Sequence, residues 1–363
     1  MYVMSRCRCR AAQVLVPIAA GSEPVEATVP IDVLRRAGAH VTIAATGGLL
    51  VHAMYGVKIG ADATVADCAD ASYDLVALPG GIPGAANLGD CAALESIVRR
   101  HALKGRLYAA ICAAPPLALA RWGLLNGLKA TAHPAFVDEF PAEVAAVDAN
   151  VVVDGKVVTA RGPAMAMEFA LALVEQLYGK DKVDQIAKPM LVRYEPGYTF
   201  KELNPIQWQC NGTPKVLIPL ANANEEMEVI TIIDALRRAN AAVVVASAED
   251  GVEIVARHNT RIVADVLLDA AADQQFDLII VPGGMPGAKT LAGQEGDDGH
   301  VHGVPAGGRR RVREQGARRR EPDHEQGPRD GHGVRGGRRG EADGERGGAG
   351  GGGRLALRLS RVP

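Results

Sequence analysis

A chain of 363 residues with 48% hydrophobic content is long enough for two domains, and a net charge of −2 gives no global reason to expect nucleic acid or a membrane surface as partner. Six cysteines are too few and too scattered for a disulfide framework, and no apolar stretch approaches the length of a membrane-spanning helix. Residues 1–11 are basic and lack acid; they read as a ragged terminus, too short for a transit peptide, which favours the cytoplasm over a plastid. Cys7 and Cys9 lack the spacing and partners of a zinc site.

The first strong pattern is an internal repeat. Val14-Leu-Val-Pro-Ile-Ala-Ala-Gly-Ser-Glu-Pro-Val-Glu26 returns as Val216-Leu-Ile-Pro-Leu-Ala-Asn-Ala-Asn-Glu-Glu-Met-Glu228, 202 positions on. Leu34-Arg-Arg-Ala37 returns as Leu236-Arg-Arg-Ala239 at the same offset. Asp74-Leu-Val-Ala-Leu-Pro-Gly-Gly-Ile-Pro-Gly-Ala85 returns one residue out of step as Asp277-Leu-Ile-Ile-Val-Pro-Gly-Gly-Met-Pro-Gly-Ala288. Agreement over a whole half-chain marks a tandem duplication.

Residues 14–19, 41–45 and 74–78 are short, apolar and bounded by Gly or Pro, so they read as buried parallel strands, with a crossover helix over 24–37. This alternation predicts an open α/β sheet whose ligands sit at the carboxyl ends of the strands. Glu26, Gly80-Gly81 and Cys112 all fall just after strand ends and can meet in one crevice.

Tyr108-Ala-Ala-Ile-Cys-Ala-Ala-Pro-Pro116 reads as a strand that stops at Cys112 and turns sharply into a helix. Such a turn strains its central residue, and the following N–H groups and helix end are expected to lower the thiol pKa. The competing reading is a buried core cysteine. Glu26 is either a proton-holding carboxyl beside that sulfur or an ordinary helix-start glutamate. His133, in Lys129-Ala-Thr-Ala-His-Pro134, is a candidate general acid/base or a structural histidine at a strand end. Gly80-Gly81 lets backbone N–H groups approach an oxyanion, although tight turns use Gly-Gly as well.

Gly21-Ser-Glu-Pro-Val-Glu26, Leu78-Pro-Gly-Gly-Ile-Pro-Gly-Ala85, Ala110-Ile-Cys-Ala-Ala-Pro115 and Arg161-Gly-Pro-Ala-Met-Ala-Met-Glu-Phe169 together resemble the DJ-one/PfpI superfamily, in its plant tandem-domain, parkinsonism-associated-deglycase-like branch. The resemblance covers residues 12–190 in full and 214–296 in part. It implies a flavodoxin-like three-layer sandwich, tandemly duplicated, and a cofactor-independent, metal-free glyoxalase acting on small dicarbonyls through a cysteine that also oxidises to sulfinate. By resemblance the glutamate falls on Glu26, the nucleophile on Cys112, the histidine on His133, and the oxyanion amides on Gly81 and Ala113. An oxidation sensor or chaperone using the same thiol is the alternative. A PfpI-like peptidase ranks last, because Ala113 stands where its histidine would follow the cysteine. The basic residue that some relatives place at the pocket mouth is not evident in Val51-His-Ala-Met-Tyr-Gly56.

The domain reading is an intact copy over 12–187, a linker over 188–213, a partial copy over 214–296 and an Arg/Gly-rich tail over 297–363. Tyr194, Tyr198, Phe200 and Trp208 are expected to pack the linker onto the domains; no basic stripe makes them a nucleic-acid platform. The tail has almost no apolar content and lacks a second cysteine elbow. One choice of codons for Asp323–Arg335, read one base on, gives Thr-Thr-Ser-Arg-Gly-Pro-Gly-Thr-Ala-Met-Glu-Phe, a relative of the first-copy run ending at Phe169. A frame change with loss of about 40 residues accounts for that. The second copy is therefore expected to be non-catalytic, with the apolar faces of 216–220 and 278–281 short of cover, and its packing as an internal pseudo-dimer is left open against a homodimer.

Overall fold

The computed structural model describes residues 10–192 and 212–293. The linker aromatics and the tail lie outside them.

The first copy begins with β1 (Gln13–Ile18), α1 (Pro24–Arg36) and β2 (His40–Ala45), continues through the short β3 (Leu50–His52), β4 (Lys58–Gly60) and β5 (Ala63–Thr64), and reaches β6 (Leu75–Leu78). Next come α2 (Gly84–Gly89), α3 (Ala92–Leu103) and β7 (Leu107–Ile111), then the small pair β8 (Lys129–Ala130) and β9 (Ala145–Ala146). The hairpin β10 (Val151–Asp154) and β11 (Val157–Ala160), followed by α4 (Ala166–Tyr178) and α5 (Lys180–Ala187), completes it. The main sheet runs β10-β11-β7-β6-β1-β2-β5, parallel except for the β10–β11 hairpin. Helices cover it in a flavodoxin-like α/β sandwich with a mostly parallel sheet. β6 is Leu-Val-Ala-Leu and wholly buried, as a central strand covered on both faces must be.

The second copy repeats the opening: β12 (Lys215–Leu220), α6 (Glu226–Arg238), β13 (Ala242–Ser247), β14 (Glu253–Val255), β15 (Arg261–Val263), β16 (Val266–Leu267), α7 (Leu268–Ala271), β17 (Leu278–Ile279) and α8 (Gly287–Leu291). β12 pairs β13 from Lys215↔Ala242 to Leu220↔Ser247, the register in which β1 pairs β2. Its sheet stops at four strands, β16-β13-β12-β17, among the described residues.

The copies meet along α1 and α6, and a second four-stranded sheet, β14-β15-β4-β3, crosses between them through antiparallel pairing of Ile262 with Ile59. At that crossing a Cβ on Gly60 would stand 2.8 Å from the Arg261 Cβ, so the close approach of the strands requires glycine there. Val216, Ile218 and Leu220 of β12, with Val229, Ile230 and Ile233 of α6, join the apolar core of the first copy. This corrects the expectation for 216–220: the strand is buried, and its residues 216, 218 and 220 lie in the apolar cluster that runs through α6 into the first copy. The other face has a buried core of only Leu217, Ala246 and Ala271 among the described residues.

Candidate active site

β7 ends at Ile111, and Cys112 follows with φ 66°, a left-handed conformation strained for a residue with a Cβ. Two backbone hydrogen bonds hold it there. The Cys112 N–H donates to Ala160 O (2.8 Å), and the Cys112 carbonyl accepts the His133 N–H (2.9 Å). The ends of β7 and β11 and the His133 loop therefore over-determine the strained turn.

The helix expected after Cys112 is a short, wide turn over Pro115–Ala120. Pro115 and Pro116 have no N–H to donate, and the turn closes partly through i→i−5 bonds such as Arg121 N–H to Pro116 O (3.3 Å). Such a turn adds little dipole.

Glu26 lies in the first turn of α1, 1% exposed. Its Oε2 accepts the Gly80 N–H at 2.8 Å, while Oε1 is buried without a hydrogen-bond partner of good geometry. Burial pushes the carboxyl up to about 8, helped by the neighbouring charge of Glu23. Burial thus favours the protonated form of this carboxyl. Glu23 caps α1, its Oε2 accepting the Glu26 N–H at 2.6 Å. Gly80 is fixed by space, because an added Cβ would lie 2.6 Å from the Cys112 Cβ, 2.7 Å from Glu26 Oε2 and 2.8 Å from Ile111 O.

The expected lowering of the Cys112 thiol is corrected. Burial pushes it up, and an ionised Glu26 pushes it further, against the opposing pull of the Gly81 and Ala113 N–H groups. Part of that push depends on the Glu26 proton. With Glu26 neutral the Coulomb repulsion vanishes, and the carboxyl O–H can donate to sulfur, stabilising the thiolate. When the pair carries a single proton, the position of that proton decides whether sulfur is a nucleophile.

The structure brings Glu26, Gly80, Gly81, Cys112 and Ala113 together. His133 is tied to the elbow through its backbone. Its Nδ1 accepts the Ala135 N–H at 3.2 Å, which places the proton of the neutral ring on Nε2, and its edge meets Phe136 at a ring distance of 6.1 Å. In the second copy Glu228 Oε2 accepts the Gly283 N–H at 2.8 Å, repeating the Glu26–Gly80 clasp. No cysteine among the described residues accompanies it.

Two neighbours of the site carry no motif. Arg238, on α6 of the second copy, donates to Glu23 Oε1 at 2.8 Å and lies 4.4 Å over the Tyr55 ring. A basic group from the other copy thus reaches Glu23, three residues before Glu26. In the sequence Arg238 shows only as a marker of the repeat.

The family model described as the DJ-1/PfpI family matches residues 12–176 and 214–298. Protein DJ-1 homolog B of Arabidopsis thaliana is 48% identical over 286 residues, covering 78% of this chain and 65% of its own length, so the chain spans about two thirds of that relative. The glutathione-independent glyoxalase DJR-1.2 of Caenorhabditis elegans is 33% identical over 170 residues, covering 47% of this chain and 90% of that protein. Among solved structures, oxidised DJ-1 of Toxoplasma gondii superposes with a TM-score of 0.50 at 44% identity, covering 51% of this chain and 100% of that one. With both copies matched in order, and with the strained cysteine facing a buried glutamate, the chain belongs to the DJ-1/PfpI family.

Proposed function

We propose that the first copy is a cofactor-independent glyoxalase that turns methylglyoxal into lactate, and glyoxal into glycolate, in defence against reactive carbonyls. The observation that carries this reading is the buried Glu26 carboxyl, held by Gly80 beside the Cys112 thiol at a strained elbow. The glyoxalase name of the Caenorhabditis relative supports it. The Cys112 thiolate adds to the aldehyde carbon, and the new alkoxide takes the Glu26 proton, giving a hemithioacetal. The Gly81 and Ala113 N–H groups stabilise the oxyanion. A base, Glu26 or His133, removes the C1 hydrogen as a proton, and reprotonation at C2 converts the enediol to a thioester. Water then cleaves the thioester to lactate and the free thiol. Carbon oxidation at C1 balances reduction at C2, so the net reaction consumes only water. The test is lactate formation from methylglyoxal without glutathione or added metal; full activity in Cys112→Ser would refute the reading.

A second reading, oxidation sensing, rests on the same Gly81 and Ala113 N–H groups, which are placed to hold a sulfinate at Cys112. Mild peroxide followed by peptide mass spectrometry beside the turnover assay separates the two. Sulfinate at Cys112 without aldehyde consumption would favour the sensor.

A further inference from the structure

The copies exchange charged groups along α1 and α6 in a nearly two-fold pattern. Arg238 binds Asp234 and Glu23; Arg36 correspondingly binds Asp32 Oδ2 (2.9 Å) and Glu225 Oε2 (2.7 Å). The symmetry breaks at two positions. Where the Arg238 side has Tyr55 and Pro24, the Arg36 side has His258 and Glu226.

We propose that Asp32, Glu225, Glu226 and His258 form a divalent-cation site between the two copies, suited to zinc or a neighbouring first-row metal. One ligand atom from each lies within 4.8 Å of the others. Asp32 is wholly buried, and its Oδ1 has one neighbour of opposite charge, His258 Nδ1 at 2.5 Å, when that ring is protonated. Glu225 Oε1 is an unpartnered atom, 4.0 Å from Nδ1, and Glu226 Oε2 stands 3.6 Å from it. These are the oxygens that Arg36 leaves free while orienting the opposite oxygens of the same two carboxylates, which is what an outer shell does for a metal. With the ring protonated these atoms form an ion-paired cluster, and a cation that displaced the ring proton would find the same atoms gathered as ligands. Metal–ligand bonds of about 2.0–2.2 Å set tetrahedral ligands about 3.3–3.6 Å apart, so Asp32 Oδ1 and His258 Nδ1 would part by about 1 Å and Glu225 Oε1 would close in.

The backbone of His258 is held in advance: its main-chain N–H donates to both Glu226 oxygens (3.2 and 3.1 Å), and its carbonyl accepts from Arg35 Nη1 (2.7 Å). One imidazole with three carboxylates selects a borderline metal over magnesium or calcium, which prefer oxygen alone. Asp32 comes from the first copy and the other three ligands from the second, so a bound ion would clamp α1 to the start of α6.

The experiment is calorimetric titration of the full chain with zinc chloride, comparing wild type with Asp32→Asn, His258→Ala and Glu226→Gln, and with the mirror variant Asp234→Asn and Cys112→Ser as controls. Cobalt(II) spectra report the ligand type, and a thermal melt checks that each variant folds. The expected result is a site about 100-fold weaker, or lost, in the three ligand variants and unchanged in both controls. The cobalt spectrum is expected to lack thiolate charge transfer. Should one ligand variant fail to fold, the other two decide. The proposal is overturned by the absence of zinc binding, by equal binding in the folded ligand variants, or by a thiolate band lost in Cys112→Ser.

Discussion

The two copies share a register and a carboxylate–glycine clasp, yet they are stabilised differently. Leu75 and Leu78 of β6 are fully buried, whereas their counterparts Leu278 and Val281 are 41% and 54% exposed. The first copy continues past β6 into β7, β11 and β10 and closes its sheet with α4; among the described residues the second sheet ends at β17, with only α8 after it. The second copy keeps its fold by borrowing, because α6 and one face of β12 belong to the core of the first. Among the described residues the second copy acts as a buttress along α1 of the first. The exposed edge at β17 is the kind of surface that invites pairing with other chains.

The sharpest way to break the comparison is chemical. Cys112→Ser is expected to lower methylglyoxal turnover by about 10³-fold or more, while Glu228→Gln, in the same clasp of the second copy, leaves it unchanged. A comparable loss from both would mean that two sites work.

Glu26→Gln keeps an acceptor for the Gly80 N–H but has no proton to give, so kcat is expected to fall by about 10²-fold. The same variant reads out in stability. Folding raises the Glu26 pKa from its ordinary 4.5 to about 8, so the folded state binds this proton more tightly and loses stability as pH rises through that window. Urea unfolding at pH 5 and pH 8 should show a steeper decline for wild type than for Glu26→Gln; equal slopes would contradict a protonated Glu26.

Packing comes next. Leu75→Ala should cost about 2–5 kcal/mol in chemical denaturation, against about 1 kcal/mol or less for the half-exposed Leu278→Ala. Equal costs would show that the second sheet is covered in solution.

The smallest contrast is between glycines. Gly80→Ala drives a Cβ into the Ile111 carbonyl and the Cys112 Cβ and should cost about 1–3 kcal/mol. At Gly283 the obstacle within 3 Å is the end of the Glu228 side chain, which can swing away, so Gly283→Ala should cost less.

Much of the fold was legible because it is periodic. β1, α1, β2 and β6 lie within about a residue of the expected spans, and the strained elbow at Cys112 follows from a strand running into small residues and prolines. The sign of the thiol shift was not legible. It depends on how deeply Glu26 and Cys112 are buried together and on a helix that two prolines reduce to one wide turn, and neither is a property of spacing. The charges between the copies were hidden for another reason. Arg36 and Arg238 appear in the sequence only as repeated letters, and His258 has no motif, so their partners become visible only once α1 and α6 lie side by side.

The central claim, one working thiol per chain, is tested most directly by titrating the enzyme with an alkylating agent while following methylglyoxal turnover and the modification of each cysteine by peptide mass spectrometry. Activity should fall in direct proportion to alkylated Cys112 and reach zero when that thiol is fully modified, whatever the state of the other five cysteines. Turnover that survives full alkylation of Cys112 would contradict the account.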